Sequence, residues 1–252
     1  MNPASLTAQQ QLTQQLIKKS ESLSEQNAVQ LVVAPTLLHL QSVQAQLQQA
    51  NSTIQIAAQD ISRFSDTGAY TGDVSAQLLL DAGVSITLIG HSERRSFYAE
   101  DASMLVRKIQ SATQAGFKVV FCVGETLEQR EAGHAEAVVL QQLEDVFHSV
   151  ELSVWQQQLI VAYEPVWAIG TGKTASPEDA ESMHAAIRDG LKLYHSSLVD
   201  VPILYGGSVK PDNAASLAAC KNINGALVGG ASLDADSFIK IAQAFGQHYQ
   251  IG

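Results

Sequence analysis

Cysteine is scarce in this 252-residue sequence: only Cys122 and Cys220 occur, each in or beside an apolar segment. That placement favours buried, reduced thiols and gives a disulfide framework little to build on. Positive charge is scarce as well. Fifteen Lys and Arg stand against 25 Asp and Glu, a formal net charge of −10. A nucleic-acid surface is therefore not expected, and an anionic ligand would meet a repulsive overall field. Such a ligand has to be held locally, by backbone N–H groups and helix N-termini. No apolar run approaches the ~18 residues of a membrane span. The Gln-rich start, MNPASLTAQQQLTQQ, lacks the apolar core of a signal peptide. A protein of the cytoplasm, with no membrane partner, is the expectation.

Short apolar, β-rich runs recur along the chain: Gln30–Ala34, Ile54–Ala58, Ile86–Ile89, Lys118–Val123, Leu159–Tyr163, Val201–Tyr205 and Gly225–Val228. They are near-continuous rather than alternating, the pattern of strands buried on both faces of a parallel sheet. Amphipathic stretches lie between them, at Leu37–Ala50, Met104–Ala115, Ala135–Val150 and Asp236–Gly246, with a further one at Thr7–Leu23 ahead of the first strand. Ser176-Pro177-Glu178-Asp179 reads as a helix start, with Ser as N-cap, Pro at the first position and acids in the first turn. The pattern predicts an α/β fold of right-handed βαβ units. With no linker or composition break, one domain over 1–252 is expected. Seven strands are read where a closed (β/α) barrel has eight. An open, doubly wound seven-stranded sheet is the architectural alternative.

In a parallel barrel the chemistry gathers where strands end. After Ile89 comes Gly90-His91-Ser92-Glu93-Arg94-Arg95, which aims an imidazole into the mouth of the barrel beside a helix N-terminus. After Tyr163 comes Glu164-Pro165-Val166-Trp167-Ala168-Ile169-Gly170-Thr171-Gly172. A carboxylate ending an apolar strand is costly unless it is used or paired. The apolar, glycine-bearing loop behind it suits a lid that expels water. Gly206-Gly207-Ser208 and Gly229-Gly230 end the last two strands, where barrels commonly hold phosphate. The remaining histidines, among them His134, His148, His184 and His195, fall in helical stretches and read as surface residues.

Together, GHSERR, FCVGE, AYEPVWAIGTG, YGGSV and VGGASL resemble, in order and spacing, the triosephosphate isomerases. The resemblance runs from about Met1 to Phe245 and implies a TIM (β/α)8 barrel. It implies an aldose–ketose isomerase of glycolysis and gluconeogenesis that interconverts D-glyceraldehyde 3-phosphate and dihydroxyacetone phosphate. By the same resemblance Glu164 is the base and His91 the neutral electrophile, with Glu93 close behind it. Gly170, Ser208, Gly229 and Gly230 are the donors to the substrate phosphate. Tyr205 with Ala175 latches the lid, and Ile169 with Leu227 clamps the base. The loop Gly68–Asp73 matches one that enters a partner subunit, so a homodimer is implied. No metal and no cofactor are implied. Family members open on a strand ending in Asn-x-Lys-x-Asn, of which Met1-Asn2 matches only the last two positions. The barrel is therefore read as lacking its first strand and the lysine on it. Either that strand is encoded upstream of Met1 and the chain is a fragment, or the barrel lacks it; as written the chain is expected to be poorly stable and nearly inactive, and the alternative function is a catalytically impaired barrel that serves only as a phosphate-binding or scaffold protein.

Overall fold

The structure is a computed structural model, and it describes residues 1–21, 23, 29–169 and 174–248. Seven strands form one parallel sheet in sequence order: β1 (Val32–Val33), β2 (Gln55–Ala58), β3 (Ile86–Ile89), β4 (Lys118–Val123), β5 (Leu159–Tyr163), β6 (Ile203–Tyr205) and β7 (Gly225–Ala226). The register advances steadily, with Ile86 opposite Lys118, Val119 opposite Leu159 and Val161 opposite Ile203.

Eleven α-helices lie among the described residues: α1 (Leu6–Ser20), α2 (Leu37–Gln49), α3 (Ala76–Asp81), α4 (Ser92–Tyr98), α5 (Ala102–Gln114), α6 (Leu127–Glu131), α7 (Ala135–Phe147), α8 (Leu152–Gln157), α9 (Pro177–Tyr194), α10 (Pro211–Ala218) and α11 (Ala235–His248). Their starts have local causes. Asp101 accepts from the Met104 N–H at 2.8 Å to cap α5. Ser176 and Asp179 close a capping box ahead of Pro177 on α9, as the sequence predicts. None of these helices is long and apolar enough to cross a membrane.

Strand side chains divide between two apolar clusters, as a period of two requires. On β4, Val120 and Cys122 face inward while Val119, Phe121 and Val123 face the helices. On β5, Ile160 and Ala162 face inward while Leu159, Val161 and Tyr163 face outward. The inner cluster also takes Val32 and Ala34 from the β1 end, Ala57 from β2, Leu204 from β6 and Leu227 from just beyond β7. First and last strands thus meet in one central core. An open, doubly wound sheet would instead have helices on both faces, so the curled barrel architecture is the one observed. The outer cluster runs from Leu12 on α1 to Phe245 on α11 and includes Trp155, Phe117 and Ile109. α1 packs on both α2 and α11, and Lys19 reaches Asp236 at 2.6 Å.

One expectation is corrected here. His184 is fully buried rather than on the surface. It shares the inward face of α9 with Ala180, Met183, Ile187 and Leu191 and lies between the rings of Tyr163 and Tyr205. Both cysteines are free thiols, Cys122 buried and Cys220 half-buried.

Candidate active site

Glu164 directly follows β5, and its side chain is only 2% exposed. Three donors converge on the carboxylate. The Ser92 backbone N–H donates to Oε2 at 2.9 Å, the Ser92 hydroxyl to Oε1 at 3.2 Å, and His91 Nε2 lies 3.0 Å from Oε1. Burial raises the Glu164 pKa above its ordinary value, and His91, the two Ser92 hydrogen bonds and Arg95 oppose that rise. A raised pKa makes a stronger base of the ionised form.

His91 is the N-cap of α4. Its Nδ1 accepts from the Glu93 N–H at 3.3 Å. An acceptor role for Nδ1 corresponds to the tautomer that carries its proton on Nε2. The Glu93 carboxylate stays 3.9 Å from Nδ1, too far to compete for that lone pair. Nε2–H therefore points to Glu164, and toward whatever displaces it. Arg95 braces the same corner. Its guanidinium donates to Gly90 O at 2.7 Å and to Cys122 O at 2.8 Å, tying the ends of β3 and β4 together.

The segment after Glu164 is held on a second carboxylate. Glu125, fully buried, accepts at Oε1 from the Tyr163 hydroxyl at 3.1 Å and from Trp167 Nε1 at 2.8 Å. Arg130 reaches the same oxygen at 3.4 Å, stacks over the Trp167 ring and pairs with Asp179 at 2.7 Å. The backbone is tied as closely. Glu164 N donates to Val123 O at 2.7 Å and Val166 N to Glu125 O at 3.1 Å. Gly124 lies between these two bonds. A Cβ there would stand 1.8 Å from the Glu164 carbonyl oxygen, so only glycine fits.

Of the strand-end glycines, Gly206 falls beside Glu164. A Cβ on Gly206 would come within 3.0 Å of Glu164 Cγ. Ser208 follows on the same loop, its carbonyl accepting from Asn213 Nδ2 at 2.9 Å. Gly229 caps a 3-10 turn over Gly230–Leu233, whose first N–H groups have no acceptor inside the turn. The Tyr205 hydroxyl, behind Gly207, is buried and has no hydrogen-bond partner among the described residues. Burial raises its pKa to about 12. Gly170, and 170–173 as a whole, lie outside the described residues.

The structure thus joins His91 and Glu164 directly and puts Ser208, Gly229 and Gly230 on neighbouring strand ends. It adds Ser92, Arg95, Glu125 and Gln142, the last through hydrogen bonds between its amide and the Gly124 backbone, none of which the motifs single out. Ser92 is hidden between two more conspicuous residues. Gln142 sits in an ordinary amphipathic helix, where no spacing signals its partner. A cavity of about 500 Å³ opens alongside, lined by Leu37, Asp60, Arg63, Arg94, Tyr98 and Glu100 among others. Across its floor, Lys108 pairs with Asp60 and Glu100, each at 2.6 Å, and Arg94 with the same two carboxylates at 2.9 and 2.7 Å. Among the described residues no group of His, Cys, Asp and Glu could hold a metal ion.

Comparison with known proteins agrees with this geometry. The family model for triosephosphate isomerase matches residues 1–245. A triosephosphate isomerase of Acinetobacter baumannii is 52% identical over 252 residues, covering 98% of this chain and 94% of the relative. One from Rhizobium etli is 53% identical over 229 residues, covering 90% of this chain and all of the relative. One from a Psychrobacter species is 45% identical over 254 aligned positions, covering 97% and 96%. A sheet that curls on itself, a buried carboxylate against an imidazole at its rim, and these matches along nearly the whole length together make the chain a member of the triosephosphate isomerase family.

Proposed function

We propose that the chain interconverts D-glyceraldehyde 3-phosphate and dihydroxyacetone phosphate, in the glycolysis and gluconeogenesis of the cytoplasm. The observation that carries this reading is the Glu164–His91 pair: a buried carboxylate at 3.0 Å from an Nε2–H whose ring is fixed as the neutral tautomer by the Glu93 N–H. A substrate entering the mouth displaces the carboxylate from Ser92. Glu164 then takes a proton from the carbon beside the carbonyl. The electron pair left behind forms the C–C double bond of an enediolate as the carbonyl electrons move onto oxygen. His91 Nε2–H donates to that oxygen and stabilises its charge. The hydroxyl proton on the first carbon passes to the enediolate oxygen on the second, relayed at His91 Nε2; Glu164 returns its own proton to the neighbouring carbon, and the carbonyl reforms one position along. A neutral imidazole paired with a carboxylate base is the arrangement known for this family.

Substrate phosphate is held by N–H groups at Gly170, Ser208, Gly229 and Gly230, as a chain of net charge −10 requires. The lid pivots on the Glu125–Trp167 contact, and Tyr205 latches it when it closes. A shift of one proton between adjacent carbons leaves no net redox change in the substrate, so neither cofactor nor metal is called for. Residues 1–252 act as one domain, supported by the single outer core that spans α1 to α11.

The active form is a homodimer. Leu38 is 91% exposed and Phe97 79%, with Leu37 and Tyr98 at the adjoining cavity. Such a surface is costly to leave in water. The loop Gly68–Asp73 of a second copy, carrying half-exposed Tyr70, is the occupant proposed for that cavity. Isomerase activity of the purified chain, and its loss in Glu164→Gln, tests the reading.

A further inference from the structure

We propose that Gln142, on the outer helix α7, is a positioning residue for the base. The inference rests on the reading of Glu164 as that base. Gln142 Oε1 accepts from the Gly124 N–H at 2.9 Å, and its Nε2 donates to Gly124 O at 3.0 Å. One planar amide thereby satisfies both backbone polar groups of a residue that has left the β4 ladder. Both bonds require the same amide orientation, so the assignment of oxygen and nitrogen is fixed by the network.

What Gln142 holds is the bed on which the base lies. Val123 O accepts from Glu164 N, Glu125 O accepts from Val166 N, and Gly124 Cα lies against the Glu164 carbonyl with no room for a methyl group. Glu125 also fixes Tyr163 and Trp167, on either side of Glu164. On the side away from β5, the amide of Gln142 grips residue 124. A displacement there passes to Glu164 without slack, because the contact between the two backbones is already at its limit. The role needs an acceptor and a donor on one rigid group at the end of a side chain long enough to reach in from a helix. Among the amino acids glutamine fits that need, since glutamate supplies only acceptors when ionised.

A plain structural brace that docks α7 on the sheet is the competing role, and kinetics separates the two. Two near-isosteric variants serve. Gln142→Met removes both hydrogen bonds, while Gln142→Glu keeps the acceptor and sets an oxygen against Gly124 O. Wild type, both variants and Glu164→Gln are assayed together at a temperature where circular dichroism shows each to be folded. The expected result is a kcat lowered by roughly ten- to a hundredfold with KM within about twofold, since a sub-ångström misplacement of the base costs rate rather than phosphate binding. Amide hydrogen exchange should quicken at Glu164 and Val166 and stay unchanged in β3. Full kcat in both variants, with at most a lower melting temperature, would overturn the proposal and leave Gln142 a brace. Exchange that quickens throughout the chain would do the same. An inactive wild type would instead overturn the isomerase reading in favour of the impaired barrel, and this inference with it.

Discussion

Replacing Gly124 by alanine puts the closest contact in the site to a quantitative test. The new Cβ would lie 1.8 Å from the Glu164 carbonyl oxygen and 2.8 Å from its carbonyl carbon, where ordinary contact begins near 3.4 Å. Both neighbours are backbone atoms, so no rotamer change relieves the clash. The ends of β4 and β5 have to separate by about 1.6 Å, a displacement of the size that costs a catalytic group about a hundredfold in rate. The 2.7 Å bond from Glu164 N to Val123 O is lost with it. Overpacking of this kind costs about 1–3 kcal/mol of stability. For a chain of this size the melting temperature falls about 2–4 °C per kcal/mol. The assay is the initial rate of glyceraldehyde 3-phosphate conversion per mole of folded protein, beside a thermal melt followed by circular dichroism. A Gly124→Ala enzyme with wild-type kcat and an unchanged melt would refute the claim that this contact sets the position of the base.

Three further outcomes follow from other parts of the structure. Tyr205→Phe should leave stability unchanged or raise it by about 1 kcal/mol in urea denaturation, because it removes a buried hydroxyl with no partner among the described residues; on the proposed latch role of Tyr205, kcat should nevertheless fall. Lys108→Met should cost about 1–3 kcal/mol, read from the urea midpoint, because it leaves the carboxylates of Asp60 and Glu100 with Arg94 alone. Burial depresses the His184 pKa to about 4. Above the unfolded value near 6.5 the ring is neutral in both states and its contribution is constant. As pH falls from there to about 4 only the unfolded chain takes up the proton, so about 3 kcal/mol of stability is lost. His184→Leu should flatten that acid limb in pH-dependent melts.

Much of the scaffold was legible because parallel strands buried on both faces leave unbroken apolar runs. β3, β4 and β5 match those runs residue for residue. β1, β2, β6 and β7 are shorter than their runs, since the runs extend beyond the ladder at one end or both. The short helices α3, α6, α8 and α10 carry too few turns for a period to register. His184 shows the opposite fault. Its place at a spacing of three and four from Ala180 and Ile187 marks it as inward, yet residue type alone suggests solvent. At the site, strand-end position exposes His91 and Glu164, and their 3.0 Å contact follows from the adjacent strands β3, β4 and β5. The support beneath them was not legible. Ser92, Glu125 and Gln142 act through contacts made only once helix and strand are packed, and Gln142 lies 18 positions from the residue it grips.

The most direct measurement compares purified wild type with Glu164→Gln for conversion of glyceraldehyde 3-phosphate across pH. The account predicts an active wild type whose kcat/KM falls as pH drops through a carboxyl value above the ordinary glutamate range. It predicts that the variant folds, loses that acid limb and is slower by about a thousandfold or more on the plateau above it, the scale of losing a positioned general base. A variant that keeps wild-type turnover, or an acid limb unchanged by the substitution, would contradict it.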